Sequence, residues 1–364
     1  MELIKAFEDL EDPRMDRTKK HPLLSIVFLT IAAVVAGADS FTGVADFGKA
    51  KADWVKRHVP FPEGIPSHDT IGDLFARIKP EKFGQCFIRW VSMACGVPEQ
   101  DLINIDGKTL RGSHDEANGK YAIHLIHAYA SGAEILLGQL AVAEKSNEIT
   151  AIPDLLELID IAGAMVTIDA IGCQKSIAEK IIAEQGDYLL AVKGNQGALE
   201  EEIKTAFNTT SPSSIHVSVD KGHGRIENRT CTVVDNLVFV DEAAHWKGIK
   251  SIIRIERERE VLAQNKKTSE VQYYICSKSL KAEVANDYVR SHWSIENKLH
   301  WTLDVTFGED LSRIRNGHGD ENFATIRRIA LNLLKLNTSI KKSIAAKRHL
   351  AAWDEVFLEC VLRI

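Results

Sequence analysis

Two acidic residues stand where strands run out. Asp106 closes the apolar-polar alternation at the start of INIDGKTLRGS (Ile103–Ser113), and Asp169 closes the apolar run AMVTIDA. Side by side, two carboxylates repel unless a cation lies between them. Hard divalent ions such as Mg2+ take oxygen ligands and suit such a pair. Two of them roughly 3.5–4 Å apart activate a water or hydroxyl and stabilise a leaving oxygen in phosphodiester chemistry. A third carboxylate fits on a helix within VRSHWSIENKLHWTLDVTFGED, where His292, Glu296 and His300 fall four apart and share one face. Glu296 is the first choice. Asp304, turned about 80° from that face on ~3.6-residue geometry, is the reserve. Lys108 and Arg111 follow the first acid closely enough to meet a phosphate, and Lys193, Asn195 and Gln196 follow the strand DYLLAVK in the same way. Arg225, in GHGRIENR, is a further candidate. Trp293 and Trp301 read as packed side chains rather than base-stacking platforms.

Each of these has a plainer reading. A lone Asp at a strand end is more often a turn residue or a cap, and a cation after it is often a solvated loop residue. The His-Glu-His face also fits a zinc site, but it lacks the HExxH spacing and no CxxC pair supports it.

The elements that would position these acids follow from periodicity. Three strands (INID, AIHLIHAYA, EILLGQLAVAE) precede a helix, a strand, a helix, a strand and a helix through Phe207. A hairpin meander leading into βαβ units implies a mixed sheet covered by helices. That is the order of an RNase H-like α/β fold, in which the strands carrying Asp106 and Asp169 are neighbours. Residues 1–98 read as a helical N-terminal domain, with Ser67 as an N-cap and Pro80 as a stop. Residues 99–210 read as the first part of the core and 211–278 as a β-rich insertion. Residues 279–364 read as the second part of the core with C-terminal helices. Within the N-terminal block, FGKAKADWVKRH sets cations around one Trp and reads as a solvated helix face.

The 364 residues carry 45 Lys and Arg against 51 Asp and Glu, a formal charge of -6, which excludes a uniformly basic nucleic-acid coat. Six scattered cysteines without a CxxC pair imply reduced thiols. The apolar run Leu23–Ala38 is shorter than the ~20 residues a spanning helix needs, and the acidic stretch before it does not suit a signal peptide. A buried helix, no membrane and a cytoplasmic protein are expected.

At these residues the chain resembles the DDE transposases of insertion sequences, in the H-repeat-associated (ISAs-type) family. The likeness runs through HPLLSIVFLTIAAVVAGA, PSHDTIGDLF, IDGKTLRGS, KSNEITAIPDLL, TIDAIGCQKSIAEKI, DYLLAVKGNQ, GHGRIENR and RSHWSIENKLHWTLDVTFGED with RIRNGHGDENFATIRRIALNLLK. It implies an RNase H-like catalytic core interrupted by the β-rich insertion, a DNA-binding N-terminal region, and Mg2+-dependent cutting of element ends followed by strand transfer. Mn2+ is expected to substitute. Asp106, Asp169 and Glu296 take the places of the family acids. Related cut-and-paste transposases carry Tyr-x-x-Arg-x-x-x-Glu-x6-Lys, whereas this chain has Val289, His292 and Leu303 at the Tyr, Arg and Lys positions. Arg290, Lys298 or His300 stand as replacements. Double-stranded DNA is the expected partner, with a dimer on DNA and a nucleoid location in a bacterium. The alternatives are an RNase H-like nuclease without strand transfer, or a DNA-binding relic that has lost mobility.

Overall fold

The computed structural model describes residues 2–95, 101–116, 119–142, 147–222, 224–262 and 266–364. Six helices come first: α1 (Glu2–Lys5), α2 (Leu23–Val35), α3 (Phe41–Ala50), α4 (Ala52–His58), α5 (His68–Arg77) and α6 (Pro80–Cys95). The apolar run becomes α2, buried along nearly its whole length because it is hydrophobic all round. Ser67 caps α5 by accepting from the Thr70 N–H. Pro80 opens α6 rather than only ending α5, since a first helical turn needs no N–H from it. Among the described residues no helix is long and apolar enough to cross a membrane.

The sheet follows: β1 (Leu102–Leu110), β2 (Ile123–Ala130), β3 (Ile135–Ala141), then α7 (Glu148–Leu158), β4 (Met165–Ile168), α8 (Lys175–Ala183), β5 (Asp187–Val192) and α9 (Gly197–Thr209). Four long strands come next, β6 (Ser214–Gly222), β7 (Arg225–Val234), β8 (Ser251–Val261) and β9 (Lys266–Cys276). All nine form one sheet in the order β3-β2-β1-β4-β5-β9-β8-β7-β6. β1, β4 and β5 are parallel, and every other pairing is antiparallel. The β-rich block therefore extends the sheet through β9 on β5. The 98/99 boundary falls outside the described residues.

Two apolar layers hold the faces. Leu102, Met165 and Leu189 pack with Ala282, Ala285 and Val289 of α10 (Ala282–His292). On the other face Ile103, Ile105, Val166 and Ile168 share a core with α7, α8 and the N-terminal helices. After α10 the chain makes a π-helical turn (Ile295–His300), then α11 (Trp301–Val305), α12 (Gly319–Leu336), α13 (Ile344–Trp353) and α14 (Glu355–Leu362). The buried helix α12 ties the N-terminal helices to the sheet. Its Asn322 Nδ2 donates to the Phe75 and Ile78 carbonyls, and Asn332 exchanges hydrogen bonds with Leu136 of β3.

α8 ends through a left-handed Gln185 (φ 60°), with the Gly186 N–H closing back on the Ile181 carbonyl. The cations around Trp54 are only in part a solvated face: Lys49, Lys56 and Arg57 are exposed, but Lys51 and Arg57 also pair with Glu355, and His58 and the Trp54 indole meet Glu359 of α14.

Candidate active site

β1 does not end at Asp106. It runs on to Leu110, but its parallel partner β4 stops at Ile168, opposite Ile105. Asp106 thus sits at the first position of β1 left open on that side. Asp169 is the next residue of the β4 chain. On the other side Asp106 lies directly opposite His127 of β2.

Glu296 reaches the same place from α10. Asn104, fully buried on β1, donates from Nδ2 to the Ser291 carbonyl and to Ser131 Oγ, and so pins the end of α10 to the sheet. Its Oδ1 accepts from Thr167 Oγ1, which lies 2.9 Å from His292 Nδ1. With its only proton spent on Asn104, the Thr167 hydroxyl accepts from His292, which fixes an Nδ1–H tautomer. The π-helical turn then starts at Ile295. Its wider winding breaks the shared face expected of His292, Glu296 and His300. His292 and Glu296 face a cavity, and His300 turns under Asp106. His292 keeps only Nε2 free for the cavity, and His300 has Nε2 on His127 and Nδ1 towards Asp106, so the two rings and Glu296 do not form a His-Glu-His zinc face.

That cavity, about 200 Å³, is lined by Asp106, Asp169, Glu296, Lys193, His292 and Trp293 among others. Burial pushes the Asp106 carboxyl up to about 7, with the charges of Asp169, Glu296 and Glu148 adding to it. Asp169 is raised as well, by burial and then by Glu148, although its Oδ1 accepts the Ile171 and Gly172 N–H groups. Burial pushes His292 down to about 4, so the residue at the family's Arg position is a neutral ring.

Glu148 was missed in the sequence. It opens α7, where an acid in the first turn is unremarkable, and only the fold brings it to the site. Its Oε1 lies 2.5 Å from His124 Nε2, and His124 Nδ1 lies 2.9 Å from Thr109 Oγ1. A Cβ on Gly107 would fall 2.2 Å from that same Oε1, so glycine is needed there to admit the carboxylate beside Asp106.

The predicted phosphate contacts divide. Lys193 lines the cavity, and Arg111 and Arg225 are exposed. Lys108 is buried, its Nζ 2.7 and 2.8 Å from the two oxygens of Asp304 and 3.7 Å from Asp310. Being within β1, it points into the core two residues after Asp106 instead of into a loop, and it takes up Asp304, the reserve acid. Asn195 and Gln196 hold the loop after Asp169 by donating to the Ala170 and Cys173 carbonyls. Arg290 pairs with Asp220 and Lys298 with Glu134. Trp293 and Trp301 are 40% and 57% exposed, so neither is packed in the core as the sequence suggested, and Trp293 lines the cavity.

Among the described residues no three His, Cys, Asp or Glu side chains close on a single ion as they stand. The donor set nonetheless suits hard divalent cations. It is all carboxylate oxygen, partly desolvated, and mutually repelling in a way that bound positive charge relieves.

Residues 98–333 match the family described as Transposase DDE domain, and residues 4–91 match the one described as DDE_Tnp_1-associated. The chain is 42% identical over 375 residues to "H repeat-associated putative transposase YhhI" of Escherichia coli K12, covering all of this chain and 98% of that protein. It is 43% identical over the same span to "Putative protein YbfL" of the same strain. To "Putative transposase YncI" of Escherichia coli O157:H7 it is 39% identical over 360 residues, 97% of this chain and 92% of that one.

Proposed function

The chain belongs to the DDE transposases, and from that premise we propose that it cuts phosphodiesters at the ends of an insertion sequence and joins them to target DNA on an RNase H-like sheet. One observation carries the reading: carboxylates from the middle of β1, the end of β4 and the π-helical turn face one cavity. Asp106, Asp169 and Glu296 would hold Mg2+ or Mn2+, with Glu148 as a fourth carboxylate beside them. Bound there, such ions lower the pKa of a water and stabilise a leaving oxygen.

The chain's own part is to hold and aim. Asn104 and Thr167 fix where Glu296 enters. The Ile171 and Gly172 N–H groups fix Asp169. Lys193 at the rim, with Arg111 and Arg225 farther out, would meet backbone phosphates and set the DNA's register. The neutral His292 offers a ring nitrogen where related enzymes have a cation, so phosphate neutralisation falls to Lys193. The N-terminal helices supply a further DNA-binding surface. Two protomers act on paired ends, since joining needs both ends held at once, and the protein works on nucleoid DNA in the cytoplasm.

The test is cleavage of linear DNA carrying the repeats that flank the coding region, with Mg2+ against EDTA. Cuts at the repeat boundary that need the cation, followed by joining of the freed 3′ ends to a target plasmid, are expected. Intact DNA under Mg2+ would refute the proposal. Cutting without joining would reduce it to a nuclease.

A further inference from the structure

Behind Asp106 lies a file of buried polar groups that leads away from the cavity. Arg328 of α12 is fully buried, paired through Nη1 and Nη2 with both carboxylate oxygens of Glu309. Its Nη2 also lies 3.2 Å from His127 Nε2. His127 Nδ1 lies 3.2 Å from His300 Nε2. His300 Nδ1 in turn faces Asp106 Oδ2 at 3.7 Å.

The chemistry of the first link sets all the others. A guanidinium carries only donors, so His127 Nε2 must accept. The His127 proton is therefore on Nδ1, and it points at His300. His300 Nε2 must accept that proton's hydrogen bond, which places the His300 proton on Nδ1, aimed at Asp106. Neither ring has room for a second proton without facing donor against donor. We propose that His127 and His300 are positioning residues, forming a one-way hydrogen-bond chain that starts at Arg328 and presents a fixed N–H to the Asp106 carboxylate.

Burial keeps both rings neutral. His127 is driven well below its ordinary value, with Arg328 adding to the effect. His300 is driven down to about 3 by burial, then by Lys108 and Arg328. The last gap of 3.7 Å exceeds a hydrogen bond, and such contacts tighten when a site is loaded. Outer groups of this kind orient a ligating carboxylate, and their loss costs about 10–100-fold in cation affinity. The proposal rests on the cutting-site reading only for the task given to Asp106. It also gives TIRRIA, the middle of the C-terminal motif, a place in the site through Arg328.

The test has two arms, both on the full chain. Histidine 15N spectra without metal, assigned with His127→Gln and His300→Gln, should show Nδ1–H tautomers at both rings near pH 7. An Nε2–H tautomer or an imidazolium at either ring overturns the chain. In calorimetry with Mn2+ alone, His300→Asn puts an amide donor near the Nδ1 position and should bind within about threefold of wild type. His300→Gln, whose amide reaches the Nε2 position, should lose about 10-fold or more. Asp106→Asn is measured alongside. Weak binding in Asp106→Asn with wild-type binding in His300→Gln refutes the positioning role alone. Wild-type binding in Asp106→Asn refutes the cation reading of the site and leaves the tautomers to the spectra.

Discussion

Asp106 and Asp169 stand on neighbouring strands and are held by opposite means. Asp106 is set in the middle of β1, and its carboxylate is backed by side chains from β2, the π-helical turn and α12. Asp169 leads a tight loop, and its Oδ1 is held by backbone N–H groups two and three residues on. The first arrangement needs distant parts of the chain folded around it. The second is nearly complete once β4 ends. A shared site can thus be assembled from one locally encoded acid and one that depends on the whole core.

The largest effect should come from removing either charge. Asp169→Asn and Asp106→Asn should each lower end cleavage by about 10³-fold or more while still binding end DNA. Gel-resolved nicking under Mg2+ measures this, and wild-type nicking by one variant would remove that acid from the site.

Only the Asp169 half of this difference was legible in the sequence, and the reason is distance along the chain. Asp169 after AMVTI, and Ser67 before the α5 periodicity, announce themselves through neighbours a few residues away. The strand order came from alternation and turn residues in the same local way. Lys108 was misjudged because nothing local says that β1 continues past Asp106 or that Asp304 and Asp310 wait underneath. Glu148, His127 and Arg328 were invisible as neighbours of Asp106 for the same cause: each reaches it only through tertiary packing. The π-helical turn left no sign in the spacing of His292, Glu296 and His300, which suits an α-helix equally well.

A second way to break the comparison is to remove the distant support. Arg328→Met leaves the buried Glu309 carboxylate without its main partner and should cost about 3–5 kcal/mol in chemical denaturation. The double variant Glu309→Gln/Arg328→Met should recover much of that. Equal losses in the single and double variants would mean the pair is not what stabilises this end of the core.

Smaller changes separate the two supports. A Cβ on Gly172 would lie 2.3 Å from Ile168 Cγ2, so Gly172→Ala should disturb the Asp169 loop and cost about 1–3 kcal/mol. Gly107→Ala meets only the movable end of Glu148, together with His124, and should leave stability nearly unchanged while weakening Mn2+ binding severalfold. Melting curves and Mn2+ calorimetry check both. The reverse ranking would mean Glu148 is not a movable partner of the site.

The smallest effect is a titration. Asp106 is held near 7 in the folded chain against an ordinary value of 3.8, so the folded state binds that proton more tightly than the unfolded one. Its share of stability is fully present below about pH 4 and is lost as pH rises towards and through 7. In EDTA, wild type should therefore lose more stability than Asp106→Asn across that window. With Mn2+ the sign reverses, because the ion displaces the proton and binding strengthens up to about pH 7. Parallel curves for the two proteins in EDTA would show that Asp106 is not the titrating group.

The most direct measurement is an anomalous difference map from crystals of the full chain with end DNA and Mn2+. Peaks should lie in the cavity between Asp106, Asp169 and Glu296, within ligand reach of all three carboxylates. A map with Mn2+ bound elsewhere and none between these acids would contradict the central claim.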